Sequence, residues 1–257
     1  MKKSLTTLFC GGLLSAVVAP AGFGQITNYS QDFEGLNAAD PAALANDGWN
    51  FFATGFNPDN SVSFTFGPIG AANNSGAPNT SLISTLSSGG EPPAGQQGLL
   101  FLSDYFSPLH SDPNDLRDLE LAIFQEQIIT AADIGSTVTF SWLTDGNAAP
   151  PTGDAVAEAF LITLDPNAGF SRTNDLSFET TAIADGALSV NSLSLDLTDA
   201  ALEGQILQFG FRNRSSDGEG SAVDYDNINF VVPEPASLAL VGLGGLMMVS
   251  RRRQANR

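Results

Sequence analysis

The chain has 257 residues, 42% of them apolar and 15% charged, with 26 Gly, 14 Pro and 18 Phe. This length buries a substantial core, and the apolar content excludes a wholly disordered chain. Ten basic residues face 28 acidic ones, a formal charge of −18, which argues against a nucleic-acid partner because phosphates need Lys and Arg to displace their counterions.

The cations sit at the ends. Lys2 and Lys3 begin the chain, and Arg251, Arg252, Arg253 and Arg257 close it. Between residues 22 and 232, four arginines (Arg117, Arg172, Arg212, Arg214) stand against 27 carboxylates, a net −23 with no Lys. The first segment, residues 1–21, reads as a secretory signal peptide. Lys2 and Lys3 form its positive start, Leu5 to Val18 its apolar run, and Ala19-Pro20-Ala21 the small residues that signal peptidase reads. Cleavage is expected after Ala21 or as late as Gly24. Cys10, the only cysteine, lies inside the apolar run with Thr7 three residues upstream, unlike a lipoprotein site. The mature chain would therefore have neither a disulfide nor a thiolate metal site.

The body, residues 25–232, is written in short alternating segments. Segments 29–33 and 49–52 come first. Val62, Phe64 and Phe66 then alternate with Ser63 and Thr65, followed by 99–102 and 120–129. Val138, Phe140 and Trp142, then Phe160, Ile162 and Leu164, then Leu193, Leu195 and Leu197 keep the same period. Leu207, Phe209 and Phe211, and finally Ile228, Phe230 and Val232, complete the set. Period two with one apolar face is the pattern of a half-buried strand. About ten such strands with turn-rich connections predict an all-β fold, a jelly-roll-type β-sandwich. Helix is expected only at 40–46, with Asp40 as N-cap and Pro41 at the first helical position, and as a short turn around Leu202. Residues 68–97 read as one long connection.

Three pieces of the body resemble galactose-binding-like and carbohydrate-binding-module jelly rolls. They are Gln31-Asp32-Phe33-Glu34-Gly35-Leu36 with Gly48-Trp49-Asn50, the segment Ala132 to Trp142, and Asp224-Tyr225-Asp226-Asn227-Ile228-Asn229-Phe230. The resemblance implies that the first and last strands lie side by side. It also implies a structural calcium held by Glu34 and Asp226, with Asp32 or Asp224 added. Calcium suits such a chain because it takes hard oxygen ligands; the plain alternative is a set of solvated carboxylates. Asp112-Pro113-Asn114-Asp115 reads most simply as a turn.

The last segment, residues 233–257, begins Pro233-Glu234-Pro235, continues as an apolar stretch over 236–250 and ends in the cluster Arg251-Arg252-Arg253. A spanning helix needs about 20 apolar residues, so this is a short transmembrane helix, and the positive-inside rule keeps its arginines cytoplasmic. The order of the three elements resembles the PEP-CTERM sorting tail, also catalogued as an ice-binding protein C-terminal domain. The resemblance implies an exosortase-type membrane protease as partner, cleavage near residues 233–235, and residence at the cell surface or outside it, commonly alongside exopolysaccharide. An ordinary membrane anchor is the competing reading.

No pattern in the body singles out catalysis. A glycosidase needs two carboxyls at a set separation, and 27 carboxylates select no pair. His110 is the only histidine, and no Gly-x-Ser-x-Gly or His-Glu-x-x-His pattern occurs. Sugar binding would need an aromatic platform, for which Tyr105, Phe106 and Trp49 are the candidates. The leading expectation is therefore an exported, non-enzymatic surface or matrix protein. A carbohydrate-binding module recognising exopolysaccharide is the rival, and a secreted polysaccharide hydrolase the third reading.

Overall fold

In this computed structural model, residues 25–73, 81–84, 97–103, 118–149, 156–181, 183, 188–215 and 221–232 are described. The expected signal peptide and sorting tail lie outside them. The strands are β1 (Tyr29–Gln31), β2 (Asn50–Phe56), β3 (Val62–Gly70), β4 (Ser81–Ser84), β5 (Gly98–Ser103) and β6 (Asp118–Ile128), then β7 (Thr137–Ala149), β8 (Val156–Asp165), β9 (Ser171–Glu179), β10 (Ser189–Asp196), β11 (Ile206–Ser215) and β12 (Ser221–Val231). They form two antiparallel six-stranded sheets. One runs β10-β7-β12-β5-β4, with β1 also paired to β12, and the other runs β3-β2-β6-β11-β8-β9. The sandwich expected from the alternation is present, and from β5 onward the chain crosses repeatedly between its sheets.

The core is aromatic. Phe209 stacks on Phe230 at 4.3 Å between ring centroids, and Phe211 on Tyr225 at 3.6 Å. Phe140 leans on Phe209 at 5.3 Å, and Trp142 meets Phe211 edge-on at 6.1 Å. Each such pair adds about 0.5–1.5 kcal/mol beyond the area it buries. Inward residues recur at every second position of β7 and β11, as their sequences predict, whereas in β12 a register shift between Asp226 and Asn229 separates Val223 and Tyr225 from Ile228 and Phe230.

β8 departs from expectation by one residue. Ala157, Ala159 and Leu161 face the main core, while Phe160, Ile162 and Leu164, expected inside, belong to a second apolar cluster with Phe124 and Phe52. Strand alternation puts that cluster on the outer face of its sheet. Gly210 lies between Phe124 and Phe160 in the strand register. A Cβ there would fall on backbone atoms of Ile123 and Phe124, so glycine lets the two rings approach to 6.5 Å. The stretch 68–97 is also more structured than a plain connection, since it holds the end of β3 and all of β4. The helix is shorter than expected. It is α1 (Ala43–Asn46), with Ala42 at its N-cap and no side-chain cap, because Asp40 spends its carboxylate on the Ala42 amide at 2.9 Å. The turn around Leu202 is a 3-10 turn, Ala200–Leu202, which Asp199 caps through the Ala201 amide. Among the described residues no helix is long and apolar enough to cross a membrane.

Candidate functional site

The two ends of the body meet at one pole. Tyr29 pairs with Phe230 and Gln31 with Ile228, and the Val232 amide donates to Asn28 Oδ1 at 2.7 Å. Buried Asp133 fastens the start of the chain there. Its Oδ1 accepts the Ile26 amide at 3.0 Å, and its Oδ2 accepts the Thr130 amide at 2.8 Å and the Thr130 hydroxyl at 2.7 Å. The opposite pole is where β2 ends and β3 begins, β5 ends and β6 begins, β7 ends and β8 begins, and β11 ends and β12 begins. The ends of those strands, with the described turn 57–61, therefore form the pole remote from the chain ends.

Trp49 corrects the sugar-binding expectation. It is fully buried, packed edge-on against Tyr29 at 6.0 Å, so neither ring face is open to a pyranose. Its indole N–H donates to Asp47 Oδ2 at 3.2 Å, and the same oxygen accepts Tyr29 Oη at 2.5 Å and Gln31 Nε2 at 2.7 Å. The Asp47 backbone carbonyl accepts Gln125 Nε2 at 2.9 Å. Burial first, and then the hydrogen bond to Asp47, push the Tyr29 hydroxyl far above its ordinary pKa. This network locks β1, the helical turn and β2 together. Tyr105 and Phe106 lie outside the described residues, although their segment is flanked by Ser103 and Asp118 at the remote pole.

The expected calcium set is only partly gathered. Glu34 Oε1 accepts the Gln97 amide at 3.0 Å, and Gln97 Nε2 donates to the Glu34 carbonyl at 3.2 Å. Gln97 stands two residues before Leu99, the partner of Tyr225, so Glu34 lies alongside the part of β12 that contains Asp226. Asp224 and Asp226 are both buried, and Asp226 Oδ1 accepts the Asn227 amide at 2.6 Å. Asp32 is not part of this arrangement. It is exposed, and its Oδ1 closes a turn on the Glu34 amide at 3.2 Å. Among the described residues no three acidic or His side chains converge as a metal cage.

Sequence reasoning missed Asp47 and Asp133. Each is a lone aspartate in a turn, and its partners stand up to 107 residues away. It also missed a buried polar group near the remote pole, where the Tyr225 and Thr180 hydroxyls lie 2.9 Å apart and Asn213 Nδ2 donates to the Phe101 carbonyl at 3.1 Å.

β12 runs from the remote pole back to the chain ends and hands over to the tail at Val231–Val232. Residues 231–254 carry a PEP-CTERM protein-sorting motif. The motif implies an exported protein whose C-terminal tail is processed by an exosortase, a membrane protein. Its residues Pro233, Glu234 and Pro235 and the cluster Arg251, Arg252 and Arg253 lie outside the described residues. No curated protein matches the chain. Among solved structures, the body is similar to a chain from a study of carbohydrate-binding modules of the β-sandwich superfamily, at 16% identity and a TM-score of 0.40. That match covers 79% of this chain and 63% of the other, so the chain spans less than two thirds of that relative. A Stig cyclase from Fischerella sp. TAU is similar at 12% identity over 80% of this chain and 98% of its own, with a TM-score of 0.43. A xylan-binding domain from Paenibacillus barcinonensis is similar at 8% identity over 61% of this chain and 83% of its own, with a TM-score of 0.36. At these identities and scores the likeness assigns no activity to this chain.

Proposed function

We propose that the chain is a structural component of the cell surface or extracellular matrix, a non-enzymatic β-sandwich delivered by its PEP-CTERM tail. The pairing of β1 with β12 is the observation that supports this most directly. It brings both addressed ends to one pole, so a body tethered through its tail turns the opposite pole outward. The net charge of −23 would keep such a body soluble and apart from its neighbours. The test is to follow a Pro233→Ala, Pro235→Ala double variant in cells. The variant is expected to stay unprocessed and membrane-associated; unchanged processing and location defeat the reading.

Recognition of exopolysaccharide is the second reading. It now rests on Tyr105 and Phe106, whose sequence neighbours Ser103 and Asp118 are strand ends at the outward pole. Pull-down of residues 25–232 on acidic and neutral glycans, with Tyr105→Ala as the control, separates the two. Saturable retention lost in the variant favours the module, breakdown of the glycan points to a hydrolase, and no retention leaves the structural reading. Glu34 and Asp226 are the pair we propose for calcium, on the strength of their shared place beside β5.

A further inference from the structure

Only residues 233–235 separate Val232 from the apolar stretch that starts at Ala236. Fully extended, that connection reaches at most about 14 Å, and a headgroup layer occupies roughly 5–7 Å of it. An anchored tail therefore holds the pole of the chain ends within about 10 Å of the bilayer surface. Three turns share that pole: 129–136 between β6 and β7, 166–170 between β8 and β9, and 197–205 between β10 and β11. The Gly204 amide donates to the Ile129 carbonyl at 2.8 Å and the Gly135 amide to the Leu197 carbonyl at 2.7 Å, tying two of them together.

Of the large apolar side chains exposed among the described residues, Phe170 alone stands in these turns, 54% exposed. It follows the 3-10 turn Pro166–Ala168 and the left-handed Gly169. Its own φ is +62°, a region that bulky side chains seldom enter because Cβ crowds the following carbonyl. The turn thus keeps a water-facing phenyl ring where a small polar residue would fold more easily. The tip also stands proud of the tail. Phe209 pairs with Leu161 and stacks on Phe230, so Val232 lies level with Thr163. β8 continues two residues further, to Asp165, roughly 7 Å, before the turn begins. An approaching surface meets this tip before it meets the point where the tail departs.

We propose that, while the tail is anchored, this pole rests on the bilayer with the Phe170 ring seated in the headgroup layer. The proposal rests on the attachment through the tail proposed above. Charge allows the approach. Residues 166–171 carry none, and the only exposed carboxylates of the three turns are Asp199 and Glu203, in a body of net −23. Those two, with Asp165 and Asp196 at the adjoining strand ends, favour zwitterionic over anionic lipid. One ring binds a membrane too weakly to hold a protein by itself; the short tether supplies the local concentration that makes the contact persist. Cleavage of the tail then frees the pole.

The test places the full chain, tail included, in phosphatidylcholine vesicles, with flotation reporting attachment and circular dichroism the fold. Trp49 and Trp142 are buried, so the emission that Phe170→Trp adds to theirs reports the tip alone. Brominated lipid should quench that added emission at least twofold. Val190→Trp, at a 79% exposed site on the outer face of β10, should be left unquenched. Phe170→Asn should melt no lower than the parent, because Asn accepts the left-handed region more readily. A chain that floats without quenching at position 170 defeats the contact, as does equal quenching at positions 170 and 190. A clear loss of stability in Phe170→Asn gives the ring a packing role and overturns the proposal too. A chain that fails to float defeats the attachment itself, and the contact with it.

Discussion

Replacing Asp47 with Ala removes one acceptor from three donors at once. Trp49 Nε1 belongs to a fully buried residue, while Tyr29 and Gln31 are only half-buried. A buried donor without an acceptor costs about 1–3 kcal/mol, and water can partly serve the two less buried groups. The sum is about 3–5 kcal/mol, on the order of 10 °C in Tm for a body of this size. Asp47→Asn keeps an acceptor oxygen and the shape, and should cost about 1–2 kcal/mol. Trp49→Phe retains most of the ring while removing its donor, so its cost and that of Asp47→Ala should overlap by about 1 kcal/mol in a double-mutant cycle. Urea unfolding of residues 25–232, followed by circular dichroism, measures all four species. A cost below about 1 kcal/mol for Asp47→Ala, or an additive cycle, refutes the claim that this carboxylate ties the strands together.

Three further outcomes are expected. Gly210→Ala should destabilise by about 3 kcal/mol, the upper end for overpacking, because the new methyl meets backbone of β6; a neutral result in thermal melting would show that the two strands part easily. Burial above all pushes the Tyr29 and Tyr225 hydroxyls well above a phenol's ordinary pKa of about 10. The folded state therefore holds their protons more tightly than the unfolded chain does. Stability is present in full below about pH 10 and falls as pH rises above it; phenolate absorbance should appear together with unfolding, and ionisation of all three tyrosines near pH 10 in a folded protein would contradict this. Millimolar calcium should raise the melting temperature by several degrees if it binds the native state alone, and Asp226→Asn should remove the rise; an equal rise in the variant would place calcium elsewhere.

The sandwich was legible wherever one face of a strand is polar. Thr137, Thr139 and Ser141 set off Val138, Phe140 and Trp142 so cleanly that their facing follows from the alternation alone. β8 was misread by one position because Ala-Phe-Leu-Ile, residues 159–162, is apolar on both faces, and alternation carries no information in such a run. β9 was missed because only Leu176 and Phe178 mark it, as suits an edge strand with one weak apolar face. At the candidate site, the neighbouring chain ends followed from resemblance, but Trp49 was placed at the surface because its burial depends on Asp47 and Tyr29. Those partners converge only once β1 has paired with β12. The hub at Asp133 is only half visible locally: Thr130 is three residues away, but the Ile26 amide that it ties down is 107 residues away.

The strand from which the tail departs is not an edge. β12 is held by β7 along one side and by β5 and then β1 along the other. A pull on the C-terminal end directed along this strand must shear those ladders together, whereas peeling an edge strand would open one hydrogen bond at a time. Under the proposed mooring through residue 232, drag from flow or from a swelling matrix would be met at a strand braced on both sides. Mechanical failure should begin elsewhere, at the thinner margins of the sheets.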